Sequence, residues 1–237
     1  MPFAAQLAHA PRLSPWILAP VVLGVGLGAG VLVARTIHRR AGIPSLQAAP
    51  DPMGPPPEPI IVGDPKNPEV AALLSEMDDL FASMGVPLEY ASAREVTTLP
   101  EAPGRPSAIP PRPYWPRMAY TLRYGFLPIR LAMDEPLNLR GYRPPDYNQA
   151  RSGEPYVPGV SRGSSHMYFE AVDIRAPKNR RKLALVTARW FLRDGAKLRA
   201  GFGAYGYPTP SNVHVDTGYE QRTWREADDY IADVSAA

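Results

Sequence analysis

The chain has 237 residues, no cysteine and a formal net charge of +3. That length fits one domain with appendages or two small domains, and the missing cysteines exclude disulfides and thiolate metal sites, so a metal would have to be held by His, Asp or Glu. The small charge and the scattered arginines, with no aromatic stacking platform, argue against a nucleic-acid partner.

From Trp16 to Ala34 runs WILAPVVLGVGLGAGVLVA, without a charge inside it. About 20 apolar residues cross a bilayer as a helix, so 16–34 is expected to be a transmembrane helix. The apolar region of a signal peptide and a buried core helix are the alternatives. Residues 1–40 are therefore set apart as a membrane anchor or signal segment. Arg12 precedes the span, whereas Arg35, Arg39 and Arg40 follow it, a bias that favours a cytoplasmic C-terminal side.

Thirty prolines occur in the chain, and 17 of them lie between Pro44 and Pro116. Proline has no backbone N–H and clashes with the preceding turn, so such a stretch is not helix interior or central strand. Residues 41–109 are expected to form a proline-rich, semi-rigid linker. One amphipathic helix interrupts it over 68–84, with Asn67 as cap, Pro68 at the first helical position and Gly85 at the end. Val70, Leu73, Leu74, Met77, Leu80, Phe81 and Met84 recur at helical spacing and make one apolar stripe, a packing face or a partner-binding face.

Residues 110–237 have the composition of a compact domain. A helix is expected from near Pro116, disturbed by Gly125 and Pro128. Residues 137–143 read as a short strand, and 144–163 hold too much Pro, Gly and Ser for regular structure. The stretch SSHMYFEAVDI, 164–174, reads as a strand. A helix over 178–195 turns Leu183, Val186, Trp190 and Leu192 toward a sheet, and 200–207 and 212–218 are two further strands. Strands with packed helices but no regular βαβ repeat indicate an α+β domain.

Four histidines are present. His9 and His38 flank the apolar span, which leaves His166 and His214 in the domain, near Asp173 and Asp216. His, Asp and His suit a zinc ion with its fourth position open to water, which would become a hydroxide source at neutral pH. Ordinary hydrogen-bonded core histidines fit the same residues. Within a strand, His214 and Asp216 share a face, because side chains alternate. The chain has no Gly-x-Ser-x-Gly elbow and no phosphate-binding glycine loop.

The run LNLRGYRPPDYN, SRGSSHMYFEAVDI and GFGAYGYPTPSNVHVDTGYEQRTW resembles the zinc D-Ala-D-Ala carboxypeptidase/endopeptidase family, peptidoglycan-cleaving enzymes that include phage endolysins. Their pattern is a Ser-Gly-Tyr-Arg-like turn, then Ser-x-His-x-x-Gly-x-Ala-x-Asp, then a late His-x-Asp or His-x-His. The match covers about residues 110–226. The resemblance implies a hedgehog/DD-peptidase-like small antiparallel sheet with flanking helices, and Zn2+ held by His166, Asp173 and His214. It implies Asp216 as the group that shuttles the proton, or one that itself faces the metal. It implies Arg143 as the group that orients the peptide, with a structural salt bridge as the alternative for Arg143, and Tyr142, Ser164 and Phe169 beside it at the substrate. The chain departs from the pattern in three places: Phe169 stands at the motif glycine, Arg140 at the turn serine, and Ser211 where some relatives carry an acid. The expected function is a membrane-tethered zinc peptidase that cleaves peptidoglycan stem peptides or cross-links, its domain periplasmic or at the cell surface. A catalytically inactive zinc-containing wall-binding protein and a phage lysis endolysin are the alternatives.

Overall fold

A computed structural model of the chain describes residues 55–152, 164–218 and 220–237. The expected span over 16–34 lies outside the described residues, and among these no helix is long and apolar enough to cross a membrane. Leu46–Ala237 forms one compact unit.

The sequence boundary at residue 110 does not exist in that unit. Strand β1 (Ile61–Gly63) pairs antiparallel with β2 (Ser107–Ile109). Helix α1 (Pro68–Ser83) starts as expected, with the Asn67 side chain accepting from the Glu69 N–H. Its Val70, Leu74, Met77 and Phe81 are buried in the same core as Met118, Leu122 and Ile174. Prolines populate the turns between these short elements, so from residue 55 onward the segment expected as a linker is part of the folded unit.

The main sheet has the order β3 (Asn138–Arg140), β4 (Ala171–Arg175), β6 (Val213–Asp216), β5 (Gly201–Ala204), β7 (Arg222–Arg225). Neighbours are antiparallel except β5 and β7, which run parallel. With its flanking helices this is an α+β architecture built on a small, largely antiparallel sheet. One face carries Leu139, Val172, Ile174, Phe202, Ala204, Val213 and Val215, all buried. Against it lies a helical stretch made of α2 (Trp115–Tyr120), a π-helical turn (Thr121–Phe126) and α3 (Leu127–Leu131). Gly125 lets this stretch approach β6: a Cβ there would sit 3.0 Å from Val215. The disturbance expected at Gly125 and Pro128 is the π turn. Pro128 lacks the N–H that would meet the Tyr124 carbonyl four residues earlier, and the Trp190 indole donates to that carbonyl instead, at 2.9 Å.

Helix α4 (Arg180–Leu198) packs on β5 with Leu183, Ala184, Trp190 and Phe191 buried. Leu192 is 50% exposed, so the expected stripe is rotated: it runs through Phe191 rather than Leu192. Strand β7 and the C-terminal helix α5 (Ala227–Ser235) had no expectation attached. The stretch 164–174 is a strand only from Ala171; Ser165–Tyr168 form a 3-10 turn.

Candidate metal centre

The other face of the sheet carries polar side chains, and the register explains why. Asp173 pairs with His214, Ala171 with Asp216, Gly203 with His214 and Gly201 with Asp216. Residues opposite each other share a face, so Asp173, His214 and Asp216 lie side by side. The two glycines of β5 leave them room: a Cβ on Gly201 would come within 2.5 Å of Asp216, and one on Gly203 within 2.4 Å of the Trp224 indole. His166 arrives from the 3-10 turn that leads into β4.

Three ligand atoms converge. His166 Nε2 lies 3.0 Å from His214 Nδ1, His214 Nδ1 lies 3.1 Å from Asp173 Oδ1, and His166 Nε2 lies 3.3 Å from the same oxygen. The group is buried, and its atoms are placed to hold a metal ion. The remaining ring nitrogens are occupied on the outside. His166 Nδ1 lies 2.6 Å from the Gly141 carbonyl, which can only accept, so that nitrogen carries the proton and Nε2 offers its lone pair inward. His214 Nε2 lies 3.1 Å from Asp216 Oδ2, the carboxylate–histidine arrangement that fixes a metal-ligating imidazole. His166 Nε2 and, in its neutral tautomer, His214 Nδ1 thus present lone pairs toward the Asp173 oxygen, an arrangement that could hold a cation between them. The spacing fits one: tetrahedral ligands at about 2.0–2.1 Å from an ion are about 3.3 Å apart.

The charges around the centre push the two imidazoles in opposite directions. Burial, reinforced by the Arg143 guanidinium, pulls His166 down to about 4, which keeps its lone pair free at neutral pH. Burial also disfavours a charged His214, but hydrogen bonds to Asp173 and Asp216 overcome this and raise it. Burial works against ionisation of Asp173 too, yet the neighbouring histidines and Arg143 hold it well below the usual carboxylate range. Asp216 is likewise held low, against its burial, by His214, Arg222 and Ser165.

The structure brings His166, Asp173 and His214 together as expected and places the other expected site residues differently. Asp216 is fully buried and lies behind His214, on the nitrogen pointing away from the convergence point. It also accepts from Ser165 Oγ at 3.0 Å and from Arg222 at 2.7 Å, so it orients His214 and is not positioned as a proton shuttle. Arg143 pairs with the outer oxygen of Asp173, which fixes that carboxylate's orientation. Tyr142 is buried and its hydroxyl donates to the Pro57 carbonyl at 2.7 Å, a contact with the N-terminal stretch and not with a cleft. Ser164 caps the 3-10 turn, accepting from the His166 N–H at 3.4 Å. Phe169 is fully buried, edge-on to Tyr142 with ring centroids 5.7 Å apart; it does not narrow the site. Ser211 turns to the Tyr205 carbonyl and the Asn212 side chain.

Sequence reasoning passed over Gly141, Ser165, Arg222 and Trp224. Trp224 lies edge-on to His214, with ring centroids 4.9 Å apart. The signal for this side of the site was the Gly-x-Gly of β5 opposite His-x-Asp, two small residues at the spacing that lets bulky partners share one sheet face. No protein-family model, curated protein or solved structure matches the chain.

Proposed function

We propose that this chain is a membrane-tethered zinc peptidase acting on the peptides of peptidoglycan, with its folded unit outside the cytoplasm. The observation that carries the reading is the inward convergence of His166 Nε2, His214 Nδ1 and Asp173 Oδ1, with each outer nitrogen already committed. Two nitrogens and one oxygen, with a fourth position left over, are the donor set of a hydrolytic zinc site. Order and spacing of the surrounding motif add the substrate class, since they resemble the zinc D-Ala-D-Ala peptidases and their hedgehog/DD-peptidase-like fold. Zinc bound there would polarise a scissile carbonyl and acidify a water molecule.

The protein's own groups have defined tasks in this reading. Gly141 and Asp216 hold the two imidazoles in the tautomers that present lone pairs inward. Arg143 fixes the Asp173 carboxylate from its outer oxygen and leaves Oδ1 for the ion. The apolar 16–34 segment tethers the unit at the membrane, where the cell wall is within reach.

One observation favours a second reading, a zinc-containing wall-binding protein without turnover. Among the described residues no carboxylate other than Asp173 approaches the convergence point: Asp216 is behind His214 and Ser211 stands where some relatives have an acid. The deciding experiment incubates the full chain in detergent, zinc-loaded, with purified peptidoglycan and identifies products by mass spectrometry. New peptide fragments, absent with His166→Ala, are expected. Sedimentation with the wall but no fragments would establish the second reading in its place.

A further inference from the structure

We propose that the Tyr205 hydroxyl is the hydrogen-bond donor on the open side of the metal centre, placed to hold the carbonyl oxygen of a bound peptide as negative charge develops on it. The inference rests on the reading of His166, Asp173 and His214 as a metal centre and assigns that centre a polar group on its Arg143 side.

Among the described residues around the three ligands, the Arg143 side is the least enclosed. The His166 side chain is 2% exposed and that of Asp173 9%, whereas the Arg143 side chain beside them is 17% exposed. Tyr205 belongs to this side. It directly follows β5, and its N–H donates to the Asn212 carbonyl at 3.2 Å, which continues the pairing of β5 with β6 by one residue. Tyr205 therefore continues the series Gly201, Gly203 and falls on the face that bears His214 and Asp216. It is only partly buried. Its phenol senses the Asp173 carboxylate and the Arg143 guanidinium, two groups of that side, and the Trp224 indole N–H acts on its oxygen. Burial and Asp173 raise the phenol above its ordinary range, so it keeps its proton at neutral pH. An indole N–H can only donate; the phenol oxygen can accept from it while the O–H remains to serve a ligand.

Among the described residues, Asp216 is engaged with Ser165 and Arg222 and Arg143 with Asp173. Preorganised donors aimed at a developing oxyanion are among the largest single contributions to acyl transfer. The missing acid at Ser211 thus does not leave the open side without a proton-bearing group.

The test uses the full chain loaded with Co2+, whose visible absorption reports the coordination sphere, titrated with acetohydroxamate as a carbonyl-bearing, metal-seeking probe. For Tyr205→Phe the expected result is unchanged metal stoichiometry and an unchanged spectrum before the probe, with acetohydroxamate bound about tenfold more weakly, the loss of one well-placed hydrogen bond. Equal affinity in the two proteins would overturn the proposal. So would a spectrum already altered without the probe, because that puts the phenol among the metal's own ligands. If Tyr205→Phe does not fold, Trp224→Phe decides: weaker acetohydroxamate binding supports the placement, and unchanged binding refutes it. No turnover is needed, so failure of peptidoglycan cleavage would count against the peptidase reading alone.

Discussion

Phe169 shows why a residue next to a ligand can be misjudged from its place in a motif. It ends the 3-10 turn in a left-handed conformation, φ 58°, and its N–H donates to the His166 carbonyl at 3.3 Å. That backbone geometry is where glycine is most at ease, which gives a physical reason for the glycine in the resembling motif. Here a phenylalanine tolerates it because its ring is fully buried against Tyr142. The left-handed form costs a non-glycine residue about 1–2 kcal/mol, and truncating a buried Phe to Ala costs about 3–5 kcal/mol. Phe169→Ala loses the packing and keeps the strain; Phe169→Gly loses the packing and relieves it. Less about 0.4–1 kcal/mol for glycine's freer unfolded chain, Phe169→Gly should be the more stable of the two by about 0.5–1 kcal/mol in denaturant unfolding. The usual order, alanine above glycine, would contradict this role for the backbone. The candidate ligands were legible because His and Asp declare their chemistry by type. The tasks of Asp216, Arg143 and Tyr142 were not, since each depends on which way a side chain leaves the strand or loop.

At the scale of elements, periodicity located α1, α4 and the strands that carry the ligands, and Gly125 with Pro128 marked the irregular helix. What periodicity could not supply was the partner of the freed carbonyl. Tyr124 and Trp190 are 66 residues apart in sequence, and their hydrogen bond exists only because α4 crosses the π turn. A carbonyl left without a donor in such a place costs about 1–3 kcal/mol. Trp190→Phe should therefore destabilise the protein by at least that amount, and by less in a Pro128→Ala background, where residue 128 regains an N–H for the Tyr124 carbonyl. A double-mutant cycle in denaturant is expected to return a coupling of about 1 kcal/mol; additivity would show that the indole bond does not replace the missing one. Strand β7 escaped notice for a related reason. Its Arg-Thr-Trp-Arg run lacks an apolar alternation, and its polar face is spent on the metal centre through Arg222 and Trp224.

For the molecule as a whole, the consequential correction is the place of the proline-rich stretch. Composition reads a local property, the scarcity of backbone donors, and cannot register that the short elements between prolines bury apolar faces against elements distant in the chain, as α1 does against α2. Helix α1 contributes Val70, Met77 and Phe81, all at 0% exposure, and Leu74 at 7%. Removing four such side chains forfeits on the order of 6–12 kcal/mol at about 1.5–3 kcal/mol each, comparable with the whole stability of an ordinary domain, about 5–15 kcal/mol. The same stretch reaches the candidate metal centre through Tyr142, whose N–H donates to the Val96 carbonyl at 2.7 Å. Tyr142, whose hydroxyl holds Pro57, sits between Gly141, which accepts from His166, and Arg143, which fixes Asp173. A chain begun at residue 110 therefore loses both core and support for the ligands. Such a truncation is expected to show no cooperative unfolding transition and at least a hundredfold weaker zinc binding than residues 46–237 in chelator competition, a loss of about 2.7 kcal/mol or more. Cooperative unfolding with undiminished zinc affinity in residues 110–237 would restore the linker reading. The opposite result would make residues 55–109 part of the scaffold of the candidate metal centre.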